Sequence, residues 1–130
     1  YSDVCKEMGL KEQVVECDYD FNAGLKITEE LLEKYPDVDG IIACNDMVAI
    51  SVYKVLYKRG ISVPGDVQII GFDNISLSEL MTPELTTIAQ PIDEIGIKAA
   101  ELIIEKDNGQ KEFVFETKLI VRETTKKKGE

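Results

Sequence analysis

The stretch Val63-Pro64-Gly65-Asp66-Val67-Gln68-Ile69-Ile70-Gly71-Phe72-Asp73-Asn74 decides the fold. Pro64-Gly65 is a turn signal. Val67, Ile69, Ile70 and Phe72 are β-branched or aromatic, and the run is too apolar to alternate. It reads as a short strand buried on both faces, the pattern of a parallel sheet. Gly71, Asp73 and Asn74 stand at its end. Ligands of an open α/β sheet bind beyond the carboxyl ends of its strands. The strand therefore delivers a carboxylate, Asp73, to the place where a ligand would sit.

The flanking sequence repeats this unit. Val4 to Met8, closed by Gly9, reads as the end of a helix. Gln13 to Cys17 reads as a strand centred on Val14 and Val15, followed by Asp18-Tyr19-Asp20. In 22–35, Ile27, Leu31 and Tyr35 share one helical face, and Pro36 stops the helix. Ile41 to Cys44 is a second buried strand. Asn45-Asp46 opens a helix over 47–59, with Gly60 as its C-terminal cap. Strand, helix, strand, helix, strand predicts an α/β fold, a parallel sheet flanked by helices with right-handed crossovers. Beyond Asn74, the segment Ile75 to Glu84 reads as irregular and Leu85 to Ala89 as a strand. Pro91 opens a helix to about Asp107, closed by Asn108-Gly109. Phe113 to Phe115 and Lys118 to Val121 read as terminal strands.

Two of these helices are apolar on more than one face. Met47, Ile50, Tyr53, Leu56 and Tyr57 join Val48, Val52 and Val55 in 47–59. In 92–106, Ile92, Ile95, Ala99 and Leu102 form one stripe, and Ile97, Ala100 and Ile104 a second. Such helices are expected to be buried on both sides: against the sheet on one, against a partner or another part of the protein on the other.

The bulk numbers narrow the function. A chain of 130 residues fits one domain. Net charge is −10, with 25 Asp plus Glu, a surface that repels phosphate backbones. The run Lys126-Lys127-Lys128 reads as a solvated tail. There are three cysteines and no histidine, which argues against a disulfide framework or a zinc site and favours a reducing compartment. Cys44 is expected to be a small buried hydrophobe. No apolar run reaches the ~18 residues of a membrane span, and no signal peptide is visible. The chain opens at Tyr1 rather than Met, which leaves room for an upstream part. Without histidine, Ser-His and Cys-His nucleophiles are excluded. No Gly-rich phosphate loop follows a strand. No enzyme, metal or cofactor is expected.

Four side chains are candidates for ligand contact. The Asp73 carboxylate can accept hydrogen bonds from adjacent hydroxyls, or it can serve only an Asx turn. Asn45 offers donors and an acceptor, and it can equally be a helix N-cap. Tyr19 follows a strand and can stack on a sugar ring face, or simply pack at the surface. Gln90 follows the strand Leu85 to Ala89, where its amide can satisfy local backbone; its ligand role is what the resemblance below implies.

Several motifs together resemble the lactose-repressor (LacI/GalR) family of transcriptional regulators. They are Asp37-Val38-Asp39-Gly40-Ile41-Ile42-Ala43-Cys44-Asn45-Asp46, Val63 to Val67 with Ile69 to Asn74, Pro83 to Pro91, and Lys118 to Glu123. The resemblance implies one lobe of a periplasmic-binding-protein-like clamshell. Residues 1–90 would be mainly its carboxyl-terminal lobe less the opening strand, 91–110 a helix returning toward the other lobe, and 111–125 terminal strands. It implies an effector-binding and dimerisation part of a cytoplasmic repressor, with the helix-turn-helix DNA reader outside this chain. By the same resemblance Asp73 contacts ligand hydroxyls, Asn45 and Gln90 match sugar contacts of ribose-binding relatives, and the effector is a monosaccharide such as a pentose. A homodimer surface is implied around Met47, Ile50, Tyr53, Leu56, Tyr57, Leu80 and Met81. The competing expectation is a lobe of a periplasmic sugar-transport receptor.

Overall fold

A computed structural model describes residues 1–105 and 112–126. Its elements are α1 (Ser2–Met8), α2 (Phe21–Lys34), β1 (Gly40–Ile42), α3 (Asp46–Lys58), β2 (Gln68–Asp73), α4 (Leu77–Leu80), β3 (Thr86–Ala89), α5 (Ile92–Ile104) and β4 (Lys118–Ile120). The sheet runs β1-β2-β3-β4. The first three strands are parallel, with Ile41 opposite Ile69 and Gly71 opposite Thr87. β4 closes the edge antiparallel to β3.

Local chemistry places the helix starts. The Asp20 carboxylate accepts from the amides of Asn22 and Ala23 at 2.8 and 3.1 Å and caps α2. The Asn45 side-chain oxygen accepts from the Val48 amide at 2.8 Å and caps α3. Both use the free donors of a helix's first turn. α2 packs on α3, and α3 packs on β2. A Cβ on Gly24 would lie 2.0 Å from Ser51 Oγ, so glycine sets the close approach of the two helices. Leu56, Ile69 and Leu85 are fully buried at the centre of the core.

The chain after β4 returns across the sheet. Thr124 Oγ1 donates to the Ile69 carbonyl at 2.8 Å and accepts from the Thr86 amide at 2.9 Å. This threonine, wholly buried, ties β2 to the start of β3.

The structure corrects several expectations. Residues 13–17 form no strand. A cavity of about 780 Å³, lined by Val14, Val15, Ile27, Leu31, Ile41 and Ala43, separates them from β1. A strand needs a neighbour for its backbone donors and acceptors, and the gap denies them one. β1 and β2 are not buried on both faces either: Ile41 and Ile69 are buried, Ile42 is exposed and Ile70 half-buried, and α5 buries none of its residues against them. Cys44 is exposed at the end of β1, and the buried cysteine is Cys5. Phe113 to Phe115 is not a strand either, since β4 pairs only over Lys118–Ile120.

The two apolar helices part company. α3 is deeply seated, but Leu56 is 0% exposed. It belongs to the core rather than to a dimer surface, because its stripe faces the sheet. α5 buries none of its residues, so the expected sheet contact of its first stripe is absent among the described residues. The expected helix end at Asn108-Gly109 and the basic run from Lys127 lie outside the described residues.

No helix of the described residues is long and apolar enough to cross a membrane.

Candidate functional site

The parallel strands bring their carboxyl ends to one edge. Asp73 ends β2, opposite Ala89 of β3. Gln90 is the next residue, so its side chain rises beside Asp73. Gln90 Nε2 donates to Asp73 Oδ1 at 2.7 Å. Both residues are half-buried. A carboxylate has lone pairs for further donors after one amide is bound. The amide fixes one oxygen and leaves the other able to accept a further hydrogen bond.

The second pair lies beyond β1. Asn45 caps α3 with its oxygen, as one of its two readings required, and its Nδ2 donates to the Tyr19 carbonyl at 3.0 Å. One amide proton and one oxygen lone pair stay available. Tyr19 is 74% exposed. Expected site residues thus meet as two pairs, Asp73 with Gln90 and Asn45 with Tyr19, along one sheet edge. Asp73 and Gln90 do not line the cavity beside β1, whereas Tyr19 does.

The backbone of the Asp73 turn is unusual. Asp73 has φ 115° and Asn74 φ 56°, both non-glycine residues at positive φ. Such conformations are strained and cluster at binding sites. Side chains hold them. The Asn74 amide donates to Thr87 Oγ1 at 3.3 Å, and the Ile75 amide donates to Asp46 Oδ2 at 2.9 Å. Thr87 Oγ1 in turn donates to Asp46 Oδ1 at 2.6 Å. Arg122 donates to Asn74 Oδ1 at 2.8 Å.

Sequence reasoning placed Asp46 at the opening of a helix and gave Arg122 no role. Asp46 is fully buried under the turn. The signal for it was Gly71: a Cβ there would lie 2.2 Å from Asp46 Oδ1. Nothing local marked Arg122, because its partner stands 48 residues earlier.

Among the described residues no cluster of His, Cys, Asp or Glu could hold a metal ion. Cys17 lies close to Cys44, Asp18 and Asp20. Burial pushes its thiol up, and the neighbouring Cys44 thiol with the Asp18 and Asp20 carboxylates adds to the rise.

A mostly parallel sheet with helices against it and polar side chains along its carboxyl edge is the architecture of a periplasmic-binding-protein-like lobe. The chain belongs to the periplasmic binding protein-like domain family, whose model matches residues 1–125. It is 38% identical over 130 residues to a ribose operon repressor of Halalkalibacterium halodurans, covering 97% of this chain and 39% of that protein. It is 39% identical over 89 residues to the ribose operon repressor of Escherichia coli K12, covering 68% of this chain and 27% of that protein. Among solved structures it is similar to a transcriptional regulator CelR–cellobiose complex, with TM-score 0.87 and 30% identity over 95% of this chain and 40% of that one. A LacI family transcriptional regulator from Enterococcus faecium with bound ribose gives TM-score 0.84 and 30% identity, over 95% of this chain and 48% of that one. The chain spans less than half the length of each of these relatives.

Proposed function

We propose that this chain is the effector-binding part of a LacI-family transcriptional repressor whose effector is a monosaccharide, with a pentose such as ribose the first candidate. The observation that carries the reading is the Asp73 carboxylate, oriented by Gln90 at the carboxyl edge of the sheet. Carboxylate and amides at such an edge match hydroxyls that both donate and accept, and an exposed Tyr19 ring offers a stacking face. The repressors of ribose operons and the ribose-bound regulator above favour the same sugar.

In this reading the chain is a binding module, not an enzyme, and works in the cytoplasm. It forms mainly the carboxyl-terminal lobe, with residues 91–110 leading to the other lobe and 111–125 returning. With net charge −10 it has little means to hold operator DNA; that contact falls to another part of the protein. A homodimer would use Met47, Ile50, Tyr53, Tyr57, Leu80 and Met81, of which Tyr57 and Leu80 are strongly exposed.

Calorimetry on the intact protein tests the effector. Ribose should bind, and lactose, cellobiose and inorganic phosphate should bind far more weakly. Tight phosphate binding without sugar binding would overturn the reading.

A further inference from the structure

We infer that Arg122 and Asp46 are positioning residues: they clamp the left-handed Asp73–Asn74 turn and so set the direction of the Asp73 carboxylate. The inference rests on the reading of Asp73 as an effector contact. Two consecutive non-glycine residues at positive φ do not hold that shape unaided. The surroundings must impose it.

Arg122 can do so because it is anchored independently of the turn. Its side chain is 8% exposed. One terminal nitrogen donates to the Leu85 carbonyl at 2.9 Å and to Ser78 Oγ at 3.1 Å. The other donates to Glu79 Oε1 at 2.7 Å and to Asn74 Oδ1 at 2.8 Å. The planar fork thus holds Asn74 against the start of β3 and against α4. A lysine, with a single nitrogen, cannot reproduce four directed contacts.

Asp46 clamps from α3. Its two oxygens accept from Thr87 Oγ1 and the Ile75 amide, and the same Thr87 hydroxyl accepts from the Asn74 amide. The two backbone donors after Asp73, the Asn74 and Ile75 amides, are therefore each met by a side chain from another element. Neither clamp reaches the Asp73 carboxylate, whose partner is Gln90. Their effect on a ligand passes through the turn.

The test is hydrogen exchange by mass spectrometry on the intact protein, with Arg122→Lys and Arg122→Met. Exchange in a peptide spanning 70–77 should accelerate at least tenfold, while a peptide from the α3 core keeps its rate. Unchanged exchange in 70–77, or equal acceleration in both peptides, overturns the clamp. Asn74→Gly supplies a second readout, since glycine adopts positive φ freely. On that background Arg122→Lys should change exchange less than threefold; the same tenfold effect would overturn the role. Calorimetry with D-ribose then separates clamp from site. Arg122→Lys should weaken ribose at least tenfold when Asp73 is present and not at all on an Asp73→Ala background. Equal weakening on both backgrounds overturns the role of Arg122 in positioning Asp73. If Asp73→Ala alone leaves ribose affinity intact, the effector reading of Asp73 fails and the carboxylate-positioning role falls with it, while exchange still decides the clamp.

Discussion

Gln90 and Asp73 join across neighbouring parallel strands, with Gln90 Nε2 donating to Asp73 Oδ1 at 2.7 Å. The register makes the contact: Asp73 lies opposite Ala89, and Gln90 follows it. The bond holds the carboxylate in one orientation before a ligand arrives. Asp73→Ala in the intact protein should cost about 2–4 kcal/mol of sugar affinity, since it strands hydroxyls in a desolvated cleft. Gln90→Leu should cost less, because the carboxylate stays but loses its orientation. Calorimetry with ribose checks both. Equal affinities for wild type and Asp73→Ala would leave Asp73 as a turn former only.

Leu56 and Tyr57 are neighbours with opposite fates. Leu56 is wholly buried in the core, and Tyr57 is 73% exposed. Leu56→Ala should destabilise by about 2–5 kcal/mol through lost burial and the cavity left behind. Tyr57→Glu should change stability by about 0.5 kcal/mol or less, and it should move self-association toward monomer. Urea unfolding and sedimentation measure the two effects separately. A Tyr57→Glu protein that sediments as wild type would remove this face of α3 from the dimer surface.

Gly71 makes room for the Asp46 carboxylate. An alanine Cβ would lie 2.2 Å from Asp46 Oδ1 and 3.0 Å from Leu85 Cδ2. Both neighbours are wholly buried, so neither can yield freely. Gly71→Ala should therefore destabilise by about 1–3 kcal/mol as overpacking. It should also disturb the Ile75 amide, which Asp46 accepts. Chemical denaturation reads the first effect, and the amide's exchange rate the second.

The raised Cys17 thiol carries a pH dependence. The folded state holds that proton more tightly than the unfolded chain does, because burial disfavours the thiolate. Below the ordinary thiol value, roughly 8.5, both states are protonated and the contribution to stability is full. It fades as pH rises through that value toward the raised folded one. Cys17→Ser should flatten the decline of stability above about pH 8.5. Alkylation should modify exposed Cys44 first, Cys17 later and buried Cys5 last, by peptide mapping over time. Cys17 reacting ahead of Cys44 would contradict the burial argument.

Much of the architecture is legible in the sequence because it follows from local periodicity. The apolar run that becomes β2, the apolar stripe of α2 and the cap at Asn45 each depend on residues within a few positions of one another. Asp73 could be placed at a ligand edge for the same reason: it ends a strand, and strand ends in parallel sheets line up. The companionship of Gln90 and Asp73 was legible only through resemblance to a family, since 17 residues separate them.

Tertiary structure alone decided the rest. Whether Leu56 or Tyr57 turns inward depends on where the sheet lies against α3, and helical spacing does not reveal that on a helix apolar nearly all round. Residues 13–17 have a strand's composition, yet a strand exists only with a neighbour, and a cavity lies where one would pair. Asp and Asn tolerate positive φ better than other non-glycine residues, but as single residues, and at Asp73 and Asn74 two stand in succession. That left-handed turn survives because Arg122 bonds to Asn74 from 48 residues on and Asp46 bonds to Ile75 from 29 residues back. Composition and periodicity govern elements. Contacts between distant residues govern strain, and strain at this turn aims the carboxylate.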